Sequence, residues 1–305
     1  MFAVVMEGHR SAVGTALLRA AAAEPAADLP RLVFADWLEE AGESDRAEFV
    51  RIQCALAHDD LVPSDRVRLL ARERELWSSN GQDWTAEFGC FGVSAITFDR
   101  GLPHEVRIGP VEYRAAASQL LAAAPTLSSV AFDQTHRQSL ALLSDLHLAD
   151  GLDEVRFVVS PLGECGAAAL TGCAWLSRVR RLGLAGCQLG PRGPGRLLAS
   201  AALVAADPPR LEMLDLAFNG IWDQGVAELA ESSTVRGLRE LGLASNGISD
   251  GGAVALSRSP YLGRLESLDL NDNPITASGV RSLLGSPSLP ALRILRVHGV
   301  NAAKR

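Results

Sequence analysis

Charged residues crowd the stretch from Arg31 to Arg51, among them Asp36, Glu39, Glu40, Arg46 and Glu48. Two carboxylates at close spacing can serve as a general acid and a general base, and an enzyme site around Asp36 is the reading that such chemistry would support. No histidine or nucleophile stands beside them, so the expectation is a structural ion pair from Asp36 to Arg46 or Arg51 that locks two helices. Two further sets have metal-ligand types. Asp145, His147 and Asp150 are irregularly spaced, as exposed polar residues would be. Cys165, Cys173 and Cys187 could meet in space, the first two on one side of a helix, yet thiols are common core residues. The glycine-rich run Gly190 to Arg196 lacks the lysine and hydroxyl of a phosphate loop. No zinc spacing, dinucleotide fingerprint or Ser/His/Asp arrangement is present, so no catalytic residue, metal or cofactor is expected.

The elements that would position these residues follow from a repeat. Leu211, Leu214, Leu216, Asn219 and Ile221 recur as Leu238, Leu241, Leu243, Asn246 and Ile248, and again as Leu265, Leu268, Leu270, Asn273 and Ile275. The step is 27 residues both times (238 − 211 and 265 − 238). Leucines that alternate over three positions read as a short strand with one buried face. The stretch behind them has helical spacing, as in Val226, Leu229 and Ala230. One strand and one helix cannot bury their own apolar faces, whereas stacked copies can. The asparagine sits where the chain leaves the strand, and its amide can bond neighbouring turns as a ladder.

Further copies start at Leu292, Val179, Leu152 and, in degenerate form, Leu127, with Cys187 at the asparagine position of one of them. The copy at Val179 is 32 residues from the next (211 − 179), an insertion of five assigned to a loop and a lengthened helix. The frame resembles the leucine-rich repeat family, and its period resembles the ribonuclease-inhibitor subclass. That resemblance implies an α/β solenoid, a horseshoe with a parallel concave sheet and convex helices. The structural ladder would be Cys187, Asn219, Asn246 and Asn273.

Ahead of the repeats, residues 1–90 read as a small α-helical domain. One helix covers 11–24, opened by Ser11. A second is capped by Asp28 and stopped by Gly42, with Leu32, Val33, Trp37 and Leu38 inward. A third opens on the capping box Asp45/Glu48. A fourth covers about Ser64 to Ser79, with Val67, Leu70 and Trp77 on one face and Gly81 beyond its end. The stretches Pro30–Glu40 and Asp45–Gln53 resemble the bacterial repeat-companion domain of planctomycete-type families, which implies no activity. Residues 91–125 read as a hairpin and a helix capping the solenoid, and 126–305 as the repeats.

Composition sets the outer bounds. Residues 1–90 hold 16 acidic and 9 basic groups and the remainder 20 and 20, so the whole net charge of −7 lies in the first part. That disfavours nucleic acid as a partner, since phosphate binding wants a basic face. No apolar run approaches the length of a membrane span, and Met1–Met6 lacks a signal-peptide layout. An odd count of five cysteines argues against a disulfide framework. A cytoplasmic protein is expected.

On a solenoid the variable strand positions face outward on the concave side. Arg156, Met213, Asp215, Phe218, Arg239, Glu240, Asp269, Asp272, Arg293 and Arg296 are the residues expected to meet a partner there, with Met213 and Phe218 as apolar anchors. Facing charges could equally pair across neighbouring strands. The expected function is a non-enzymatic protein-protein interaction scaffold, and the alternative is a dedicated inhibitor of a single enzyme. The strand near Leu295 is expected to be a bare edge through which two copies associate weakly.

Overall fold

The computed structural model describes residues 12–144, 151–205, 209–297 and 300–303. Their contacts divide into two units. The first holds the residues up to Ile108 together with Ala115–Val130, and the second holds Gly109–Arg114 and most of the chain beyond Ala131.

The first unit is built on four helices, α1 (Ala12–Ala23), α2 (Leu29–Glu40), α3 (Ser44–Leu56) and α4 (Pro63–Ala86). A hairpin of β1 (Val93–Asp99) and β2 (Leu102–Ile108) follows, paired antiparallel. Helix α2 ends where Gly42 takes a left-handed φ of +88° and donates its N–H to the Glu39 carbonyl, a helix-ending role suited to glycine. Ser11 lies outside the described residues.

Several local expectations are corrected. Asp28 does not cap α2 through its side chain; its carboxylate instead accepts from Arg100 and from the His58 ring, each at 2.7 Å. The Asp45/Glu48 capping box does not form. The helix starts two residues earlier, at Ser44 after Glu43, Asp45 accepts from Asn80 at 3.1 Å, and Glu48 pairs with Arg72 at 2.7 Å. Gly81 does not stop α4. It lies inside the helix under the Trp77 ring, where an added methyl would sit 2.9 Å from ring carbons. Nor are the inner faces quite those expected. Phe34, Ala35 and Leu38 are the buried apolar residues of α2 while Leu32 and Val33 are exposed, and Val67 on α4 is 69% exposed while Leu76 is buried.

Helix α5 (Pro110–Ala123) and strand β3 (Ser129–Asp133) follow the hairpin. The second unit continues with α6 (Arg137–Ser144), β4 (Glu154–Val158), α7 (Gly163–Leu170), β5 (Arg181–Gly183), α8 (Gly193–Leu198) and α9 (Ala201–Val204). It ends with β6 (Met213–Asp215), α10 (Trp222–Ala230), β7 (Glu240–Gly242), α11 (Asp250–Ser257), β8 (Ser267–Asp269), α12 (Ala277–Leu284), β9 (Ile294–Val297) and β10 (Val300–Ala303). Strands β4 to β9 are parallel, and the same frame position pairs throughout: Val155, Leu182, Leu214, Leu241, Leu268 and Leu295 stand in register. All six are buried, so the repeat period and the sheet register are one fact. This is an α/β leucine-rich repeat solenoid preceded by a small helical unit.

Two differences concern the solenoid. The insertion forms two short helices, α8 and α9, parted at Ser200, instead of one lengthened helix. And β9 is not a bare edge, because β10 pairs with it antiparallel, Val300 opposite Val297 and Ala303 opposite Ile294. The premise for association through the Leu295 strand therefore falls: its edge groups already have a partner strand.

Candidate functional site

The turns after β3 to β8 share a left-handed residue. Gln134, Val159, Gly186, Phe218, Ser245 and Asp272 occupy equivalent repeat positions, and all have a positive φ. A non-glycine residue held there carries roughly 1–3 kcal/mol of strain, which the ladder beneath offsets. Asn219 donates to the carbonyls of Leu184 (2.8 Å) and Leu216 (2.9 Å) and accepts from the Leu189 N–H (3.1 Å). Asn246 accepts from the Asn219 N–H (2.9 Å) and donates to Leu216 and Ala244. Asn273 accepts from Asn246 and Ile248, both at 2.9 Å. Earlier in the stack Ser160 accepts from the Thr135 N–H. The Cys187 sulfur makes only long contacts, 3.8 Å to the Ala185 carbonyl and 4.0 Å to that of Phe157. Burial pushes its thiol up to about 12.

Above this frame lies the sheet face opposite the leucines. The residue ahead of each strand alternates in sign along the stack: Asp153, Arg180, Glu212, Arg239, Glu266, Arg293. Arg180 meets Glu212 at 2.9 Å, and Arg239 pairs with Glu266. One position on, Arg181 lies 3.3 Å from Glu154 and reaches past Met213 to Glu240 at 3.8 Å. Most of this face is thus neutralised by its own cross-strand pairs, of the kind that stabilise little individually.

The middle row differs. It reads Arg156, Gly183, Asp215, Gly242, Asp269 and Arg296. The Arg156 stem leans over Gly183 and the Asp215 carboxylate over Gly242, where added methyls would come within 2.9 and 2.6 Å. Asp215 and Asp269 each accept one backbone N–H, from Ala217 (3.0 Å) and Asn271 (2.9 Å). Neither has a cation within ion-pair distance among the described residues. Met213 is half-buried on β6, while Arg293 and Arg296 are exposed at the β9 end. Phe218 and Asp272 flank the sheet: β6 and β8 are three residues long, so both fall in the left-handed turn at its margin, Phe218 being 63% exposed.

The other candidates separate. Asp36 (70% exposed) and Glu39 both pair with Arg51, at 2.7 and 2.5 Å. Hydrogen bonds that Arg51 donates to Asp36 and then to Glu39 raise its pKa. This is the ion-pair arrangement with Arg51 as the cation. Arg46 is instead buried, donating to the Gly101 carbonyl at 2.9 Å. Cys165 lies exposed on α7 while Cys173 is buried beyond that helix's end, so they do not share one helix side. No group of three His, Cys, Asp or Glu residues among those described is placed to hold a metal. Asp145, His147 and Asp150 lie outside the described residues.

Two devices escaped the sequence reading although the period carries them. At the helix starts, Asp223 accepts from the Ser249 N–H (2.7 Å) and Asp250 from the Thr276 N–H (2.8 Å), while Ser249 and Thr276 cap their own helices. At the helix ends, Ser259 donates to the Ala230 carbonyl (2.6 Å) and Ser286 to that of Ser257 (2.5 Å). Each pair is spaced by 27 (250 − 223 and 286 − 259).

The fold is an α/β solenoid, and three of its repeats match a known repeat family in sequence. Residues 210–230, 238–257 and 265–284 match the family model described as Leucine Rich repeat. None of the curated proteins matches the chain. Among solved structures, a chain in the crystal structure of the Rad7 and Elc1 complex in yeast is similar, with 17% identity and a TM-score of 0.44. The match covers 86% of this chain and 69% of that one. No helix among the described residues is long and apolar enough to cross a membrane.

Proposed function

We propose that the chain is a non-enzymatic interaction scaffold that binds a protein partner on the concave face of its repeats. One observation carries this reading. On a face where Arg180, Arg181 and Arg239 are paired with Glu212, Glu154, Glu240 and Glu266, Asp215 and Asp269 stand without a cation on either side of Gly242. A basic side chain laid over Gly242 would meet both carboxylates, and Met213 would border its apolar stem. Arg239 and Glu240 would join the rim, with Phe218 and Asp272 at the margin. Arg156 lies beyond Gly183, and Arg293 and Arg296 at the far end would favour an acidic stretch of the same partner. Charges arranged in this way select a partner and orient it more than they tighten binding. The acidic balance of the chain favours a protein over nucleic acid, and a cytoplasmic setting suits its free thiols. The sequence likeness supports reading the first unit as a repeat-companion domain that accompanies the scaffold.

The test compares the wild-type chain with the Asp215→Arg/Asp269→Arg variant as baits in host lysate, followed by titration of each captured protein in purified form. The expected result is a partner bound by the wild type and weakened at least tenfold by the variant, with both baits equally folded. Equal affinity for both baits would overturn the assignment to this face.

A further inference from the structure

We propose that the helical unit holds a second recognition site, a pocket that receives one tryptophan or tyrosine side chain from a basic protein segment. The proposal does not rest on the repeats. The unit contains a cavity of about 360 Å³ walled by Phe49, Trp77, Ile96 and Phe98. That is at the small end of ligand pockets, suited to one ring-bearing group.

The walls favour an aromatic body. Trp77 meets Phe98 at 5.4 Å and 67°, and Phe49 meets Phe98 at 6.2 Å and 84°. These are the edge-to-face angles that ring quadrupoles prefer, and an added ring extends the same pattern. They disfavour a cation as the inserted group. The Arg46 guanidinium already lies 4.5 Å over Phe98 and 5.4 Å over Phe49, so a second positive charge against those rings would be repelled by the first.

The pocket also has a fixed acceptor. The Gly101 N–H donates to Gln53 Oε1 at 2.6 Å, and Gln53 Nε2 donates to Glu73 Oε1 at 2.7 Å. This relay holds the Glu73 carboxylate in the wall, and its Oε2 accepts no hydrogen bond among the described residues. An indole N–H or a phenol O–H on the inserted ring supplies the matching donor. Phenylalanine and leucine have none. The flanking charge follows from the unit as a whole. Arg74 on the wall offsets Glu73 locally, but residues 1–90 carry 16 acidic groups against 9 basic. A segment with lysine or arginine beside the ring is drawn to that field, and an acidic one is repelled.

The probe is a pentapeptide with one tryptophan between two pairs of lysines, titrated against the intact chain by saturation-transfer NMR. Saturable binding is expected, with the indole protons receiving the most saturation. Replacing the tryptophan by alanine should weaken binding at least tenfold. Replacing the lysines by glutamates should weaken it several-fold, with the gap closing as salt is raised. Trp77→Ala should abolish binding, and the surface change Glu73→Lys, which leaves the ring cluster in place, should weaken it at least tenfold. Asp215→Arg/Asp269→Arg should leave it unchanged, so this site and the concave face fail or stand separately. Absence of saturable binding, equal binding of the alanine peptide, or wild-type affinity in Glu73→Lys with folding intact would each overturn the proposal. Free indole binding as tightly as the peptide would overturn the role of the basic flanks.

Discussion

The two units bury polar groups in opposite ways. In the helical unit one guanidinium does many jobs at a single place. Arg46 lies over Phe49, Trp84 and Phe98, donates to the Gly101 carbonyl, and leaves Nη1 without a partner. Burial is the main reason its pKa falls to about 10, with Glu87 and Glu43 opposing. In the repeats each buried amide does a modest job that is then copied 27 residues later (246 − 219 and 273 − 246). The unique cluster concentrates risk in one residue, whereas the ladder divides it. A buried group without a repeat partner has to be satisfied by whatever the local fold offers, and here that is three rings and a carbonyl.

The largest effect should therefore come from Arg46→Ala. It removes a buried stem and head, opens a void among three rings and orphans the Gly101 carbonyl, for a loss of roughly 3–5 kcal/mol. Arg46→Met refills the volume without charge and should recover more than half of that loss, since apolar packing can substitute for a buried ion. Urea denaturation of both variants decides the matter: equal losses would mean that the charge, not the packing, holds the cluster.

Next is Asn246→Ala, in the middle of the ladder. The Asn219 N–H, at 2.9 Å, loses its acceptor, and the Ala244 carbonyl loses a donor. The expected cost is about 3 kcal/mol. Because neighbours along a solenoid share the strain, hydrogen exchange should speed up at Asn219 and Ile221 while the helical unit keeps its protection. Faster exchange throughout the chain would break the contrast drawn between the two regions.

Much of the solenoid was legible from Leu211 to Ile275, because period, strand face and ladder residue coincide in one frame. The helical unit was legible only as helices. Asp28, Asp45 and Glu48 have the residue types and spacing of caps, yet cation and amide partners distant in sequence, Arg100, Asn80 and Arg72, claim their carboxylates. Local propensity cannot rank such competitors. The face charges were nameable individually, but which of them cancel depends on register: Arg180 needs Glu212, 32 residues on (212 − 180), and the insertion had to be placed before that pairing appeared. The pocket around Trp77 depends on Phe98 from the hairpin, a contact that no helical periodicity contains.

Cys187 tests how far the ladder tolerates a poor member. Its sulfur contacts are long, so Cys187→Ala should cost only about 1 kcal/mol, well below Asn246→Ala. In the folded chain at pH 8, alkylation should mark exposed Cys90 and Cys165 first. Cys187, pushed up to about 12, and Cys54, pushed up to about 11, should stay unlabelled until unfolding. Early labelling of Cys187 would show that this rung opens on its own.

The smallest effect sharpens the comparison at the helix starts. The Asp250 carboxyl is held below the usual aspartate range, first by the Thr276 hydroxyl and then by the Thr276 N–H. A depressed carboxyl contributes stability above its unfolded pKa and loses it as pH falls through the folded value. Thr276→Ala removes the hydroxyl but leaves the backbone donor, so the carboxyl should rise part of the way toward its ordinary value. Carboxyl carbon shifts followed by NMR between pH 6 and 2, roughly the span over which a depressed aspartate titrates, would read that change directly. Glu48 is the matching control in the helical unit: its carboxyl is lowered chiefly by the hydrogen bond from Arg72, so Thr276→Ala should leave it where it was. A shift at both would mean that the two regions communicate through their charges. A shift at Asp250 alone would mean that each repeat step tunes its own acid by a contact to the next.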